Sequence, residues 1–199
     1  LQKRLEQANR LKANFGGHPP LVVAPYDAEL YGHWWFEGPS FIDYLFRKIH
    51  FDQSAIKAVT PGDFLDAQIP IQIQQPTASS WGENGYYKVW LNEGNSWMYP
   101  YQHDAERKMT ELANFYEYPN ELEYRALNQM ARELLLAQSS DWAFQIYQGT
   151  TVQYSSRRFQ SHIHRFNLLA KMFETNDFNE DMLSEIENRD TIFQEIDYR

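Results

Sequence analysis

Leu21-Val22-Val23-Ala24-Pro25-Tyr26-Asp27-Ala28-Glu29-Leu30-Tyr31-Gly32-His33-Trp34-Trp35-Phe36-Glu37-Gly38-Pro39 is the stretch on which the reading of this chain turns. Its first four residues are apolar without interruption, the pattern of a strand covered on both faces, as in a parallel sheet. Pro25 has no N–H to give to a sheet ladder, so the strand is expected to end there. Asp27 then stands just past the strand's C-terminal end, where catalytic residues collect in α/β barrels. A single acid at such a place reads as a solvated loop residue. Here it shares one loop with His33, Trp34, Trp35, two tyrosines and two glutamates, and that density favours a site.

Upstream, Leu5, Ala8 and Leu11 continue from Leu1 at helical spacing among charged and amide residues, which predicts a surface helix with one apolar stripe. Gly16-Gly17 stops it, and His18-Pro19-Pro20 leads into the strand. Downstream, Phe41, Tyr44, Leu45 and Ile49 predict a helix to about His50. Ile56-Lys57-Ala58-Val59 is a second short strand candidate. Thr60-Pro61 reads as an N-cap with proline at the first helical position, and Asp63 stands where a capping-box acid belongs. Two β/α units of this kind form an edge and cannot close a barrel.

From Ile69 to Ser80 the chain is polar and rich in Gln and Pro. It enters Ala78-Ser79-Ser80-Trp81-Gly82-Glu83-Asn84-Gly85-Tyr86-Tyr87-Lys88-Val89-Trp90-Leu91, a long irregular loop with turn glycines. Long ordered loops tend to be functional, and Trp81 and Trp90 are costly residues for a mere linker. After Trp97 the pattern changes to long 3.6-period segments. Ala105 to Tyr116, Glu121 to Gln138, Phe159 to Phe173 and Met182 to Phe193 each carry an apolar face. The expected fold class is therefore mixed α/β to mainly α: a β/α barrel edge over residues 1–97, then an all-helical bundle domain over 98–199. Between two of the helices lies Gln138-Ser139-Ser140-Asp141-Trp142-Ala143-Phe144, which by itself reads as an N-cap cluster.

The three stretches around Asp27, around Trp81 and Trp90, and around Asp141-Trp142 with Gly149-Thr150-Thr151 resemble, in that order, the motifs of glycoside hydrolase family 57. More narrowly they are similar to its α-1,4-glucan branching enzymes. The resemblance runs from about residue 20 to 175. It implies that Asp27 is the general acid/base of a retaining mechanism and that Trp81 and Trp90 shape a glucan groove. It also implies that Asp141 and Trp142 face that groove, Asp141 holding sugar hydroxyls and Trp142 stacking on a ring. His33 and Trp34, beside Asp27, join the expected substrate-binding set, with His33 donating a hydrogen bond near Asp27. The implied substrate is an amylose- or glycogen-like α-glucan.

Retaining glycoside chemistry needs two carboxyl groups roughly 5–5.5 Å apart. The family's nucleophile is a Glu on an earlier barrel strand, and its motif is absent here. Glu29 and Glu37 lie outside that motif and are not assigned the role. The chain is thus expected to be incomplete as a catalyst, with the N-terminal half of the same enzyme as its partner, and its start inside a helix-like segment suggests a piece of a longer protein. A related α-amylase or 4-α-glucanotransferase, or a non-catalytic glucan-binding module, are the alternatives.

Charge and composition narrow the rest. Eighteen basic residues stand against 27 acidic ones, a net charge of −9, which argues against a nucleic-acid binder with its basic stripe. Cysteine is absent, so no disulfide framework or thiolate metal site is available, which fits a cytoplasmic protein. No apolar run approaches the length of a membrane span. His162 and His164 project about 200° apart on a helix and cannot share a metal; no metal or cofactor is expected. Aromatic residues make up 16% of the chain, and flat rings with a polar tip suit sugar faces.

Overall fold

Every regular element among the described residues is helical. The structure, a computed structural model, describes residues 2–14, 18, 21–71 and 73–199. The chain forms two compact units, Leu1–Gln75 and Pro76–Arg199.

In the first unit α1 spans Gln2–Asn14, α2 Gly38–Phe51 and α3 Pro61–Asp66. A π-helical turn, Leu30–Trp34, precedes α2 and packs on it. Thr60 caps α3 as its sequence predicts: its hydroxyl accepts from the Asp63 N–H at 3.1 Å, and Asp63 accepts from the Thr60 N–H at 3.0 Å. Gln53 closes α2 by an unforeseen route. Its amide oxygen takes the Ala55 and Ile56 N–H groups at 2.9 and 2.7 Å, and its nitrogen donates to the Ile49 and Ile56 carbonyls.

The two expected strands are not present. Leu21–Asp27 and Ile56–Thr60 have no regular structure. A strand exists only through a ladder, and no second extended segment pairs with either run among the described residues. Without that cover Val22 and Val23 stand 59% and 73% exposed, where burial on both faces was expected.

The second unit is the helical bundle its periodicity predicts. α4 spans Met98–Phe115, α5 Glu121–Ala137, α6 Ser140–Gln148, α7 Val152–Thr175 and α8 Glu180–Arg189. Asn120 and Glu123 form a capping box at the start of α5. Asn176, in the left-handed region at φ 51°, ends α7. α7 is the axis of the bundle: α5, α6 and α4 all pack on it, and α8 packs on α5. Leu127, Met130, Phe159, Phe166, Leu169 and Leu183 are fully buried between them. Each such side chain contributes roughly 1.5–3 kcal/mol on transfer from water. The last helix is shorter than its periodicity suggested. It ends at Arg189, and Phe193 follows as an exposed residue at φ 57°.

The loop before α4 belongs to the helical unit by its packing. Val89 and Asn95 are buried, and the Asn95 amide donates to the carbonyls of Val89 at 3.0 Å and Ala143 at 3.2 Å.

Candidate functional site

Asp27 lies in the first unit, exposed, at the end of the extended run and immediately before a helical turn. Its carbonyl accepts the Leu30 N–H at 3.2 Å. The turn then widens to π geometry, with the Trp35 N–H donating to Leu30 O, five residues back, at 2.9 Å. This spacing splits the aromatic residues into two sets. Tyr31 and Trp35 pack together at 5.9 Å, and Trp35 packs on Phe41 of α2 at 4.9 Å. Gly38 makes this possible: a Cβ there would lie 3.1 Å from Tyr31 Cδ1 and 3.4 Å from Trp35 Cε3. His33 and Trp34 form the other set, exposed, with rings 5.5 Å apart. Among the described residues no hydrogen bond or ion pair joins His33 to Asp27; the nearest ring to the imidazole is Trp34.

In the second unit, Trp81, Trp90 and Phe144 form a triangle of rings. Trp81 lies 6.5 Å from Trp90 and 6.4 Å from Phe144, and Trp90 lies 6.2 Å from Phe144. Trp81 is 74% exposed, so the triangle offers an open aromatic face. Its loop is shaped from within by one hydroxyl. Ser80 Oγ accepts from Trp90 Nε1 at 3.2 Å and from the Gly82 N–H at 3.0 Å, and donates to Tyr86 O at 2.5 Å. Gly82 is required by close approach, because a Cβ there would sit 2.7 Å from Tyr86 O. Asn84 and Gly85 take left-handed conformations at φ 57° and 77°. Two tyrosines fasten the loop to helices. Tyr99 of α4 donates to the Trp90 carbonyl, and Tyr147 of α6 donates to Glu83 Oε2 at 2.9 Å. That hydrogen bond to a carboxylate raises the Tyr147 pKa above its ordinary value.

Asp141 and Trp142 point different ways at the start of α6. Asp141 is exposed and accepts from Ser139 Oγ at 2.9 Å. Trp142 goes into the core, and this corrects the expectation that its ring is free to stack on a ligand. Its Nε1 donates to Leu136 O at 2.8 Å, and its ring lies 26° from parallel with His162 at 6.4 Å. The Arg158 guanidinium sits 5.9 Å from the same ring. Downstream, Gly149 ends α6 at φ 73°, and Thr151 and Ser155 donate to Gln145 Oε1 at 2.8 and 2.6 Å. The Gly149-Thr150-Thr151 signal thus locks the α6–α7 turn.

A family described as 1,4-alpha-glucan branching enzyme, C-terminal, matches residues 101–199. The 1,4-alpha-glucan branching enzyme TK1436 of Thermococcus kodakarensis is 33% identical over 186 residues, covering 90% of this chain and 27% of that protein. The solved structure of a GH57-type branching enzyme from Pyrococcus horikoshii superposes with a TM-score of 0.74 at 36% identity, over 97% of this chain and 37% of that one. The alpha-amylase AmyC from Thermotoga maritima gives a TM-score of 0.71 at 40% identity, over 100% of this chain and 36% of that one. The chain belongs to glycoside hydrolase family 57 and carries the C-terminal domain of its branching enzymes. It spans 27% of the length of TK1436, one of the curated relatives it matches, and a little over a third of the solved chains.

The family 57 chain holds one further cluster of ionisable groups. Glu133 and His162, both fully buried, meet the largely buried Asp190 with their ligand atoms within 4.8 Å of one another, the spacing of three metal ligands. A cation already occupies that position. Arg165 donates to Glu133 Oε2 at 3.0 Å and to Asp190 Oδ2 at 2.9 Å. Arg158 lies 3.2 Å from His162 Nε2, and His162 Nδ1 lies 2.7 Å from Glu133 Oε2 and 2.9 Å from Arg165 Nη2. The cluster is a largely buried network of ion pairs and hydrogen bonds. No helix among the described residues is long and apolar enough to cross a membrane.

Sequence reasoning did not single out Ser80, Phe144 or Tyr147. Phe144 and Tyr147 carried a faint signal, being three residues apart on one helix beside the Asp141-Trp142 motif. Ser80 carried a signal only as part of the Ser79-Ser80-Trp81-Gly82 stretch, and nothing in that stretch told its bracing role.

Proposed function

We propose that this chain is part of a retaining α-glucan-active enzyme that transfers an α-1,4-glucan segment to a glucan 6-hydroxyl, creating a branch. The observation that carries the proposal is the open triangle of Trp81, Trp90 and Phe144 on a helical unit of the branching-enzyme type. Flat rings on an exposed face suit the C–H faces of glucose units, and they shed water from the neighbourhood of the chemistry. Asp141 adds an exposed carboxylate for sugar hydroxyls, and His33 and Trp34 add a polar tip and a ring on the Asp27 loop. Trp142 contributes from the core, holding the first turn of α6 that carries Asp141.

Asp27 is the general acid/base. As the acid it gives its proton to the glycosidic oxygen of the leaving chain, while a second carboxylate takes the glycosyl carbon as a covalent ester. As the base it removes the proton from the acceptor 6-hydroxyl, which attacks that carbon and releases the carboxylate. Transfer to water by the same route is hydrolysis. The second carboxylate comes from the N-terminal part of the same enzyme, which is this chain's partner. In that whole protein residues 1–97 supply the C-terminal edge of a β/α barrel with its active-site loops, and Leu21–Ala24 finds its strand neighbours there. Residues 98–199 are the helical C-terminal domain. The place of action is the cytoplasm, in glycogen-type metabolism.

A second reading, α-glucan hydrolysis, is favoured by one observation: the 40% identity to AmyC exceeds that to the branching enzymes. One experiment separates the two. The full-length protein and its Asp27→Asn variant are incubated with amylose, and new α-1,6 branch points and new reducing ends are counted. Branches without a matching excess of reducing ends are expected, with activity reduced about 10²–10⁴-fold in the variant. Reducing ends alone would make the enzyme a hydrolase. Near-full turnover by the variant would remove Asp27 from its role.

A further inference from the structure

We infer that Tyr147 is a positioning residue: by donating to Glu83 it holds Trp81 at its distance from Phe144, and so sets how tightly the aromatic face grips an α-glucan chain. The inference rests on the reading of that face as a glucan surface and adds to it the device that fixes its width.

The argument is one of matched pairs. Phe144 and Tyr147 lie three residues apart on α6, so they project from the same side of the helix. Trp81 and Glu83 lie two residues apart in the loop. The ring contact Trp81–Phe144 at 6.4 Å and the hydrogen bond Tyr147–Glu83 at 2.9 Å therefore tie the same loop tip to the same helix, side by side.

The other ties act elsewhere. Tyr99 holds the Trp90 carbonyl, Ser80 holds the Trp90 indole, and Asn95 holds Ala143. Tyr99 and Asn95 fix the Trp90 end of the face to the helices, and Ser80 joins the two ends of the loop to each other without reaching a helix. From residues 79–87 to any helix, the Tyr147–Glu83 bond is the single hydrogen bond among the described residues. Trp81 itself is exposed and its indole N–H makes no hydrogen bond among them. Within the loop the tip is braced by Ser80 and by the Trp90 ring. To α6 it is held by one ring contact and one charged hydrogen bond, and its distance from α6 changes when that bond is cut because the ring contact is not directional. The bond is charge-assisted, which makes it stronger than a neutral one and keeps it formed at the surface.

The test uses the full-length protein and soluble amylose as the probe, with affinity read from retardation in amylose-containing native gels. Tyr147→Phe and Glu83→Ala each weaken binding about threefold to tenfold, the loss of one well-made hydrogen bond. The double variant is no weaker than either single one, because both remove the same tie. Glu83→Gln restores most of the affinity, since its amide oxygen still accepts from the tyrosine. Far-UV circular dichroism stays unchanged in all four. Trp81→Ala is the control for the glucan face, and it loses binding more severely. If Trp81→Ala binds poorly while Tyr147→Phe binds like the unaltered protein, Tyr147 has no positioning role. If additive losses appear in the double variant, the shared tie is refuted. If Trp81→Ala binds amylose normally, the glucan face itself is wrong, and the inference falls with it.

Discussion

His162 Nδ1 lies 2.7 Å from Glu133 Oε2, and both side chains are fully buried. The pair sits where α5 meets α7, so two polar groups occupy the most extensive helix–helix contact of the bundle. Arg165 joins them to Asp190, beyond the end of α8, and Gln129 donates to Glu133 Oε1 at 2.9 Å. Every atom of the Glu133 carboxylate is satisfied, and that is why burial is tolerated.

Removing one member of such a set strands the others. Glu133→Ala leaves Arg165 and His162 facing a void and is expected to destabilise the protein by about 3–5 kcal/mol. Urea unfolding followed by circular dichroism measures it. A loss below about 1 kcal/mol would mean that the network is wetter than its burial indicates.

Trp142 gives a second test of the same region. Its indole is bound to Leu136 O and stacked on His162, so Trp142→Ala is expected to cost about 3–5 kcal/mol through a core cavity. A variant that unfolds like the parent yet fails to bind glucan would return Trp142 to the binding face.

The loop of Trp81 and Trp90 depends on Gly82 for space. Gly82→Ala pushes a Cβ to 2.7 Å from Tyr86 O, a backbone atom that cannot swing aside. The Ser80–Trp90 hydrogen bond at 3.2 Å is then expected to break. Near-UV circular dichroism, which reports tryptophan packing, should change while the far-UV helix signal holds. An unaltered near-UV spectrum would show that the loop relaxes elsewhere.

Asp63 gives a pH dependence. Hydrogen bonds from the Thr60 backbone and hydroxyl region hold its carboxylate below the ordinary range. A folded value lower than the unfolded one stabilises the cap at pH above about 4. The stabilisation is lost as pH falls through the lowered folded value. The protection factors of the Asp63 and Phe64 amides, taken against the intrinsic exchange rate at each pH, should therefore fall on acidification, and Asp63→Asn should show no such pH step. Protection factors that stay constant with pH in the parent would contradict the cap's role.

Much of this was legible in the residues. Thr60-Pro61 with Asp63, and the apolar faces of Glu121–Ala137 and Val152–Thr175, carry their structure in local pattern, because a helix satisfies its own backbone. The three motifs carried the family in their order along the chain. Leu21–Ala24 shows the opposite case: an apolar run states that it wants cover, but a strand is made by its neighbour, and none pairs with it among the described residues.

Side-chain direction was the other gap. Asp141 and Trp142 are adjacent in sequence, yet one is exposed and the other fills the core, and only the packing of α6 on α7 decides which. Glu133 lies within the apolar face of its helix and looks misplaced there until His162 and Arg165 arrive from α7. Phe144 joins Trp81 and Trp90, and Tyr147 joins Glu83, across more than fifty residues of chain. The sequence by itself determined the helices of the second unit, their caps and the family. The tertiary structure decided which polar groups are buried together and which rings share a face, because those contacts join residues distant along the chain and local periodicity carries no record of them.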